Sequence, residues 1–188
     1  MDTFSYQDRN FILNLSVGVS SQIMEITPSE EKKKLGFFAY LLHFLQQILG
    51  LELHRFDIEI DGQEKTIHAS EVMITNSRTI ALDPLEWSED VYINDGELDL
   101  FTVRAANLRD ILSFVISVFT KRTWRNPIVR HFKIKEYCKL DTSHPLPIQA
   151  DGDPIGYTPL KVIVNPMSLK IIVPKQGKEK TINYKGKE

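Results

Sequence analysis

Polar and apolar residues change rhythm several times along this chain, and the changes divide it into elements. Arg9 to Ser20 (RNFILNLSVGVS) is apolar and rich in strand formers. It predicts a buried strand, with Gly18 marking a close backbone approach or a bulge. Thr27-Pro28-Ser29-Glu30 predicts a helix start, with Thr27 as N-cap, Pro28 at the first position and Glu30 at the third. Leu35 to Leu49 (LGFFAYLLHFLQQIL) is apolar almost all round, the mark of a helix buried on more than one side or packed on a partner. Phe37, Tyr40, Leu41, Phe44, Leu45 and Ile48 make one stripe; His43 within it reads as a hydrogen-bonded core or boundary histidine rather than a ligand.

Glu52 to Ile60 alternates polar and apolar, Asp61-Gly62 turns, and Thr66 to Ile74 returns, which predicts an antiparallel hairpin. Thr75 to Asn94 is a long irregular stretch whose acids, Asp83, Glu86, Glu89 and Asp90, read as a solvated loop. A turn at Asp95-Gly96 leads into a strand at Phe101 to Arg104. Asn107 caps a second helix, Leu108 to Phe119, with an apolar face of Leu108, Ile111, Leu112, Val115 and Phe119. His131 to Leu140, Ile148 to Ala150, Leu160 to Val164 and Leu169 to Val173 read as further strands. The sum is an α+β fold: a mainly antiparallel two-sheet β-sandwich with two long helices packed to one side. Residues 1–174 form one domain, and 175–188, with five lysines, a polar flexible tail.

Composition narrows the function. A net charge of −2 over 188 residues gives no global attraction to nucleic acid. The single cysteine, Cys138, excludes an internal disulfide and a multi-cysteine metal site, and points to an intracellular, cytoplasmic chain. No run reaches the roughly 18 apolar residues of a membrane span, and MDTFSYQDRN lacks the apolar core of a signal peptide.

Candidate chemistry lies in two places. Asp151-Gly152-Asp153 is a tight-turn signal with one acid more than a turn needs, stiffened by Pro154. Standing alone, it reads more readily as a solvated hairpin. Lys121-Arg122-Thr123-Trp124-Arg125, with Arg130 and His131 behind it, suits an anionic membrane surface, although a solvated basic loop is the plainer reading.

Three stretches together resemble a known family. They are Phe11 to Gly18 with the helix residues Leu35-Gly36 and Ala39-Tyr40-Leu41; Asn94-Asp95-Gly96-Glu97-Leu98-Asp99-Leu100; and Gln149 to Pro154, followed by Thr158-Pro159-Leu160, Pro166 to Leu169 and Val173-Pro174. Their order and spacing are similar to the C-terminal domain of the diacylglycerol kinase and sphingosine kinase superfamily, in particular the bacterial soluble lipid kinases. The resemblance implies a lipid-binding β-sandwich that works with an N-terminal nucleotide-binding domain carrying a Gly-Gly-Asp-Gly-Thr motif. That motif is absent here, so the chain corresponds to the C-terminal half and is expected to be inactive as a kinase by itself.

Site residues follow from the resemblance, position by position. Asp153 matches the carboxylate that accepts the proton of the lipid hydroxyl, an aspartate where the family has a glutamate. Asp151 matches the leading aspartate, a helper in positioning. Asp95 matches the side-chain ligand of a structural Mg2+, with Tyr92 and Glu97 supplying carbonyls. Arg78-Thr79-Ile80-Ala81-Leu82 departs from the family's glycine-rich turn. The implied function is ATP- and Mg2+-dependent phosphorylation of a diacylglycerol-like lipid once the nucleotide-binding domain is present. The alternative is a non-catalytic lipid-binding or regulatory module of the same fold. Peripheral membrane attachment and self-association through Leu35 to Leu49 are further expectations.

Overall fold

The computed structural model describes residues 1–26, 51–79, 88 and 90–172. In chain order these form β1 (Thr3–Tyr6), β2 (Arg9–Phe11), β3 (Asn14–Gly18), α1 (Val19–Ile26), β4 (His54–Ile60), β5 (Gln63–Ala69), β6 (Glu71–Thr75), β7 (Leu98–Val103), α2 (Leu108–Phe119), a 3-10 turn (Thr123–Arg125), β8 (Val129–Ile134), β9 (Tyr137–Thr142), β10 (Pro147–Ala150), β11 (Asp153–Tyr157) and β12 (Leu160–Asn165). One six-stranded sheet runs β2-β1-β12-β9-β4-β5 and the other β11-β10-β3-β6-β7-β8, with antiparallel pairing throughout.

Alternation explains the sandwich. Phe56, Ile58 and Ile60 of β4 and Leu160, Val162 and Val164 of β12 face inward while their neighbours face water. They meet Leu15 and Val17 of β3, Ile74 of β6 and Leu98 and Leu100 of β7 in one core. Each such side chain, fully buried, contributes about 1.5–3 kcal/mol. β7 is buried along its whole length because its other face, Phe101 and Val103, enters a second cluster with Val91, Ala105 and Val129, covered by Ile111 and Phe114 of α2.

The expected sandwich is present, with several corrections. Arg9 to Ser20 is two strands and the start of α1. The chain breaks at Ile12-Leu13, where both backbone N–H groups are drawn to Asp151, and turns at Gly18. A Cβ on Gly18 would lie 2.3 Å from the Ser70 carbonyl oxygen, so β3 and β6 approach this closely only with glycine there. The return strand Thr66 to Ile74 is split at Ser70, whose N–H and hydroxyl both donate to the Val103 carbonyl; β5 stays in the first sheet and β6 belongs to the second. His131 to Leu140 is split in the same way between β8 and β9. Residues 169–172 form no strand.

Of the two long helices expected, the second is present at Leu108–Phe119 and the first falls outside the described residues. Among the described residues there is one long helix, the twelve-residue α2, and the eight-residue α1. The predicted helix at 35–49, its start at 27–30 and the tail 175–188 lie outside the described residues. On α2 the buried side is Ser117 and Val118 with Ile111 and Phe114 packed inward, whereas Leu108, Leu112 and Phe119 of the predicted apolar face are exposed.

Candidate functional site

The two acids of the Asp151 loop have different surroundings. Asp151 sits at φ +49 and Gly152 at φ +91, the left-handed pair of a tight hairpin between β10 and β11. The Asp151 carboxylate accepts three backbone N–H groups, from Ile12 at 2.8 Å, Leu13 at 2.9 Å and Asn14 at 3.0 Å. Its own N–H donates to the Asn14 carbonyl at 2.9 Å. Asp153 opens β11 opposite Ala150, and its side chain is exposed, without a hydrogen bond or ion pair among the described residues. Asp151 is therefore fixed to the backbone, and Asp153 is the carboxylate that faces outward.

Buried polar residues stand behind this loop. The Gln149 carbonyl Oε1 accepts the Gly152 N–H at 3.0 Å, and its Nε2 donates to Asn14 Oδ1 and Ser16 Oγ, both at 2.9 Å. Ser16 Oγ and Ser20 Oγ share a hydrogen bond of 2.6 Å, and Ser20 donates its hydroxyl and N–H to Glu71. Burial pushes the Glu71 carboxyl up to about 7 despite these donors. A continuous polar chain thus runs from the Asp151 turn to a carboxyl that titrates near neutrality. Gln149 stood inside the motif the sequence singled out; Glu71, in an apolar strand, gave no signal of its own.

The predicted metal residues lie together on the segment leading into β7. Asp2, fully buried, accepts the Gly96 N–H at 2.8 Å and the Met167 N–H at 2.7 Å. Asp95 Oδ1 accepts the Glu97 N–H at 3.2 Å. The pairing of β7 with β8 sets Asp99 opposite Lys133. Lys133 Nζ is 2.9 Å from Asp99 Oδ1, 3.2 Å from the Asp90 carbonyl oxygen, 3.5 Å from Asp95 Oδ2 and 3.9 Å from Glu97 Oε2. His131 Nε2 lies 2.5 Å from the same Asp99 oxygen, its ring stacked on Phe101 at 4.5 Å. Burial raises the Asp95 carboxyl above the usual range, against the pull of Lys133. Burial also opposes the Lys133 charge, but Asp99, Asp95 and Glu97 prevail and hold its ammonium above the ordinary value.

A carboxylate with loop carbonyls is an oxygen-only set that suits a hard cation. Lys133 Nζ lies beside two of these acids, at 3.5 Å from Asp95 Oδ2 and 3.9 Å from Glu97 Oε2, so an ion bound by their side-chain carboxylates would meet its ammonium. Among the described residues no group of three or more His, Cys, Asp or Glu is arranged to hold a metal. Lys133 was missed in the sequence, yet it was legible: Asp95, Glu97 and Asp99 alternate on one strand approach, and His131, Lys133 and Lys135 alternate on the next strand.

The basic stretch adds a surface. Between Arg104 and Arg130 the chain has six Lys or Arg and one acid, Asp110. Leu108, Leu112, Ile116 and Phe119 of α2 are exposed, as is Trp124, whose ring carries the Arg125 guanidinium at 4.5 Å. An open groove of about 530 Å³ is lined by Leu112 and Ile116 together with Arg122 and Arg125.

Comparisons with known proteins agree with this architecture. The model of the YegS C-terminal NAD kinase beta sandwich-like domain matches residues 14–173. The chain is 31% identical over 177 residues to an uncharacterized protein of Synechocystis sp., covering 93% of this chain and 41% of that protein. It is 24% identical over 174 residues to a protein named diacylglycerol kinase in Bacillus subtilis, covering 90% of this chain and 55% of that one. A protein of Shewanella frigidimarina named "Probable lipid kinase YegS-like" is 24% identical over 170 residues, with 89% and 53% covered. The chain thus spans about half the length of the curated relatives it matches. A crystal structure of a diacylglycerol kinase from Bacillus anthracis superposes with a TM-score of 0.64 at 22% identity, over 88% of this chain and 53% of that one, a likeness of fold.

Proposed function

The chain belongs to the family of YegS C-terminal, NAD kinase beta sandwich-like domains, and from that premise we propose that it is the acceptor half of a lipid kinase of the diacylglycerol kinase type. Its task in this reading is to receive a lipid alcohol and present a carboxylate to the hydroxyl. Asp153 is the base: it takes the hydroxyl proton as the lipid oxygen attacks the γ-phosphorus of ATP and the bond from that phosphorus to the ADP oxygen breaks. Asp151 is a positioning residue, holding the turn through the backbone of Ile12 to Asn14. In this reading ATP and its Mg2+ are held by a separate nucleotide-binding domain, which accords with a chain that spans about half the length of the relatives it matches.

The observation that carries the reading is the exposed carboxylate of Asp153, bonded to none of the described residues, beside an Asp151 fixed by three backbone bonds. The test joins the chain to the nucleotide-binding half of the Bacillus subtilis relative and follows radiolabelled phosphate from ATP to diacylglycerol in mixed micelles. Transfer by the joined protein, lost in Asp153→Asn, is expected. Transfer that survives that substitution removes Asp153 from the role. A non-catalytic lipid-binding module is favoured by one feature, the aspartate at 153 that is a methylene shorter than the family's glutamate; it predicts bound lipid and no transfer with either residue.

The second partner in this reading is an anionic membrane surface. The exposed apolar side chains of α2 and Trp124, rimmed by arginines, match a bilayer interface whose phosphates meet the cations. No helix among the described residues is long and apolar enough to cross a membrane, and the attachment proposed is peripheral.

A further inference from the structure

The segment from Asp90 to Asp99 gathers acids, and β8 and the residue after it answer them: His131 meets Asp99, Lys135 meets Glu97, and Lys133 alone reaches Asp95, Glu97 and Asp99 together. We infer that the Lys133 ammonium is the resident cation of this segment and fixes it without a divalent metal. This inference goes beyond the lipid kinase reading and does not depend on it.

Lys133 is placed by the core. Leu98 and Leu100 of β7 and Ile134 of β8 are fully buried, and the register Leu98↔Ile134 and Leu100↔Phe132 leaves Lys133 opposite Asp99. A slip of one residue would turn the buried Ile134 outward, so the hydrophobic register holds the ammonium over the acids. Its contacts are those a hard cation would seek: a carboxylate oxygen at 2.9 Å, a loop carbonyl at 3.2 Å and two further carboxylates at 3.5 and 3.9 Å. Asp99 is fully buried and would cost far more unpaired than paired. A Mg2+ or Ca2+ bound at about 2.0–2.6 Å from the same oxygens would stand against the ammonium, and two cations at that separation repel strongly in a partly buried site. The loop has its other supports from protein groups, since Asp2 holds Gly96 and Asp95 holds Glu97. A lysine in this position keeps the segment ordered whatever the metal concentration.

The test uses the whole chain, stripped with EDTA. Unfolding is followed with and without millimolar MgCl2 or CaCl2, and Mn2+ is titrated while the amide signals of Gly96 and Glu97 are observed. For the wild-type chain the midpoint should move by less than about 1 °C, and Mn2+ should not broaden these two amides selectively. Lys133→Met, which keeps the apolar stem and removes the charge, should lower the midpoint by about 5–10 °C, and Mg2+ or Ca2+ should restore part of the loss. A wild-type midpoint that rises by several degrees with Mg2+, or selective broadening of Gly96 and Glu97, overturns the inference. So does a Lys133→Met chain with an unchanged midpoint or with no response to either ion. If Lys133→Met does not fold, the two wild-type measurements decide.

Discussion

Asp61 and Asp151 make the same three bonds at two different corners. Asp61 ends the β4–β5 hairpin of the first sheet, and its carboxylate accepts the N–H groups of Lys135, Glu136 and Tyr137, where the chain passes from β8 in the second sheet to β9 in the first. Asp151 ends the β10–β11 hairpin of the second sheet and holds residues 12–14, where the chain passes from β2 in the first sheet to β3 in the second. Both aspartates have φ +49 and both precede glycine. Each hairpin tip ties down a crossing between the sheets.

Removing either carboxylate should therefore loosen a crossing. Asp61→Ala and Asp151→Ala are each expected to lower the unfolding free energy by about 1–3 kcal/mol in urea titrations, the range for backbone groups losing a charged acceptor. Asp61 adds a pH signature. Burial works against its charge, but the N–H groups of Lys135, Tyr137 and Glu136 win and hold the carboxyl below the usual range. Its folded value lies under its unfolded one, so its stabilisation is complete above the unfolded value and is lost as pH falls through the folded one. Asp61→Asn should flatten the acid side of the stability curve relative to wild type.

Asp153 should behave in the opposite way to its neighbour. Its exposed carboxylate bonds to no described residue, so Asp153→Asn is expected to leave the midpoint within about 1 °C of wild type while reducing phosphate transfer by the joined two-domain protein by about 10²–10⁴-fold. Asp153→Glu, which keeps the carboxylate and extends it by one methylene, should transfer at least as fast as wild type. A stability loss in Asp153→Asn matching that of Asp151→Ala would place both acids in the corner and neither in the chemistry.

The sandwich was legible where one residue pattern served one sheet. His54 to Ile60 alternates cleanly, and Asp61-Gly62 turns as its sequence requires. It was illegible where the chain changes sheets without a glycine or proline turn signal, as at Ser70 and at Lys135-Glu136, because the groups that split these runs are carboxylates and carbonyls distant in sequence. The same holds for the site. The Asp-Gly-Asp spelling marked the loop, but only the contact with Ile12 to Asn14 separates the structural acid from the exposed one. The lysine beside Asp95 lies on β8, more than thirty residues on, where nothing next to Asp95 in the sequence announces it.

Glu71 gives a pH dependence at neutral values. Burial raises its folded carboxyl to about 7 from 4.5, so between these values the folded state keeps a proton that the unfolded chain has released. The stabilisation is full below the unfolded value and is lost as pH rises through the folded one, at no more than about 1.4 kcal/mol per pH unit. Glu71→Gln, neutral in both states, should remove this slope. The check is wild-type stability minus variant stability from pH 5 to 8, a signed value that should fall across the window and level off above about 7. A difference independent of pH would mean that the carboxyl is ionised throughout.

The surface of α2 and Trp124 should bind anionic bilayers with two separable contributions. Vesicles containing phosphatidylglycerol are expected to sediment with the chain, and vesicles of phosphatidylcholine alone much less, because the six cations between Arg104 and Arg130 face one acid. Replacing Arg122 and Arg125 with Gln should weaken the attraction by about 1 kcal/mol per charge and reduce its sensitivity to salt. Replacing Phe119 and Trp124, which are 72% and 52% exposed, with Ser should weaken binding at every salt concentration, since it removes apolar area that enters the interface. Neither pair should change folding by more than about 0.5 kcal/mol per substitution, because these side chains stand outside the core clusters. If both pairs leave sedimentation with phosphatidylglycerol vesicles unaltered, this face does not meet the membrane.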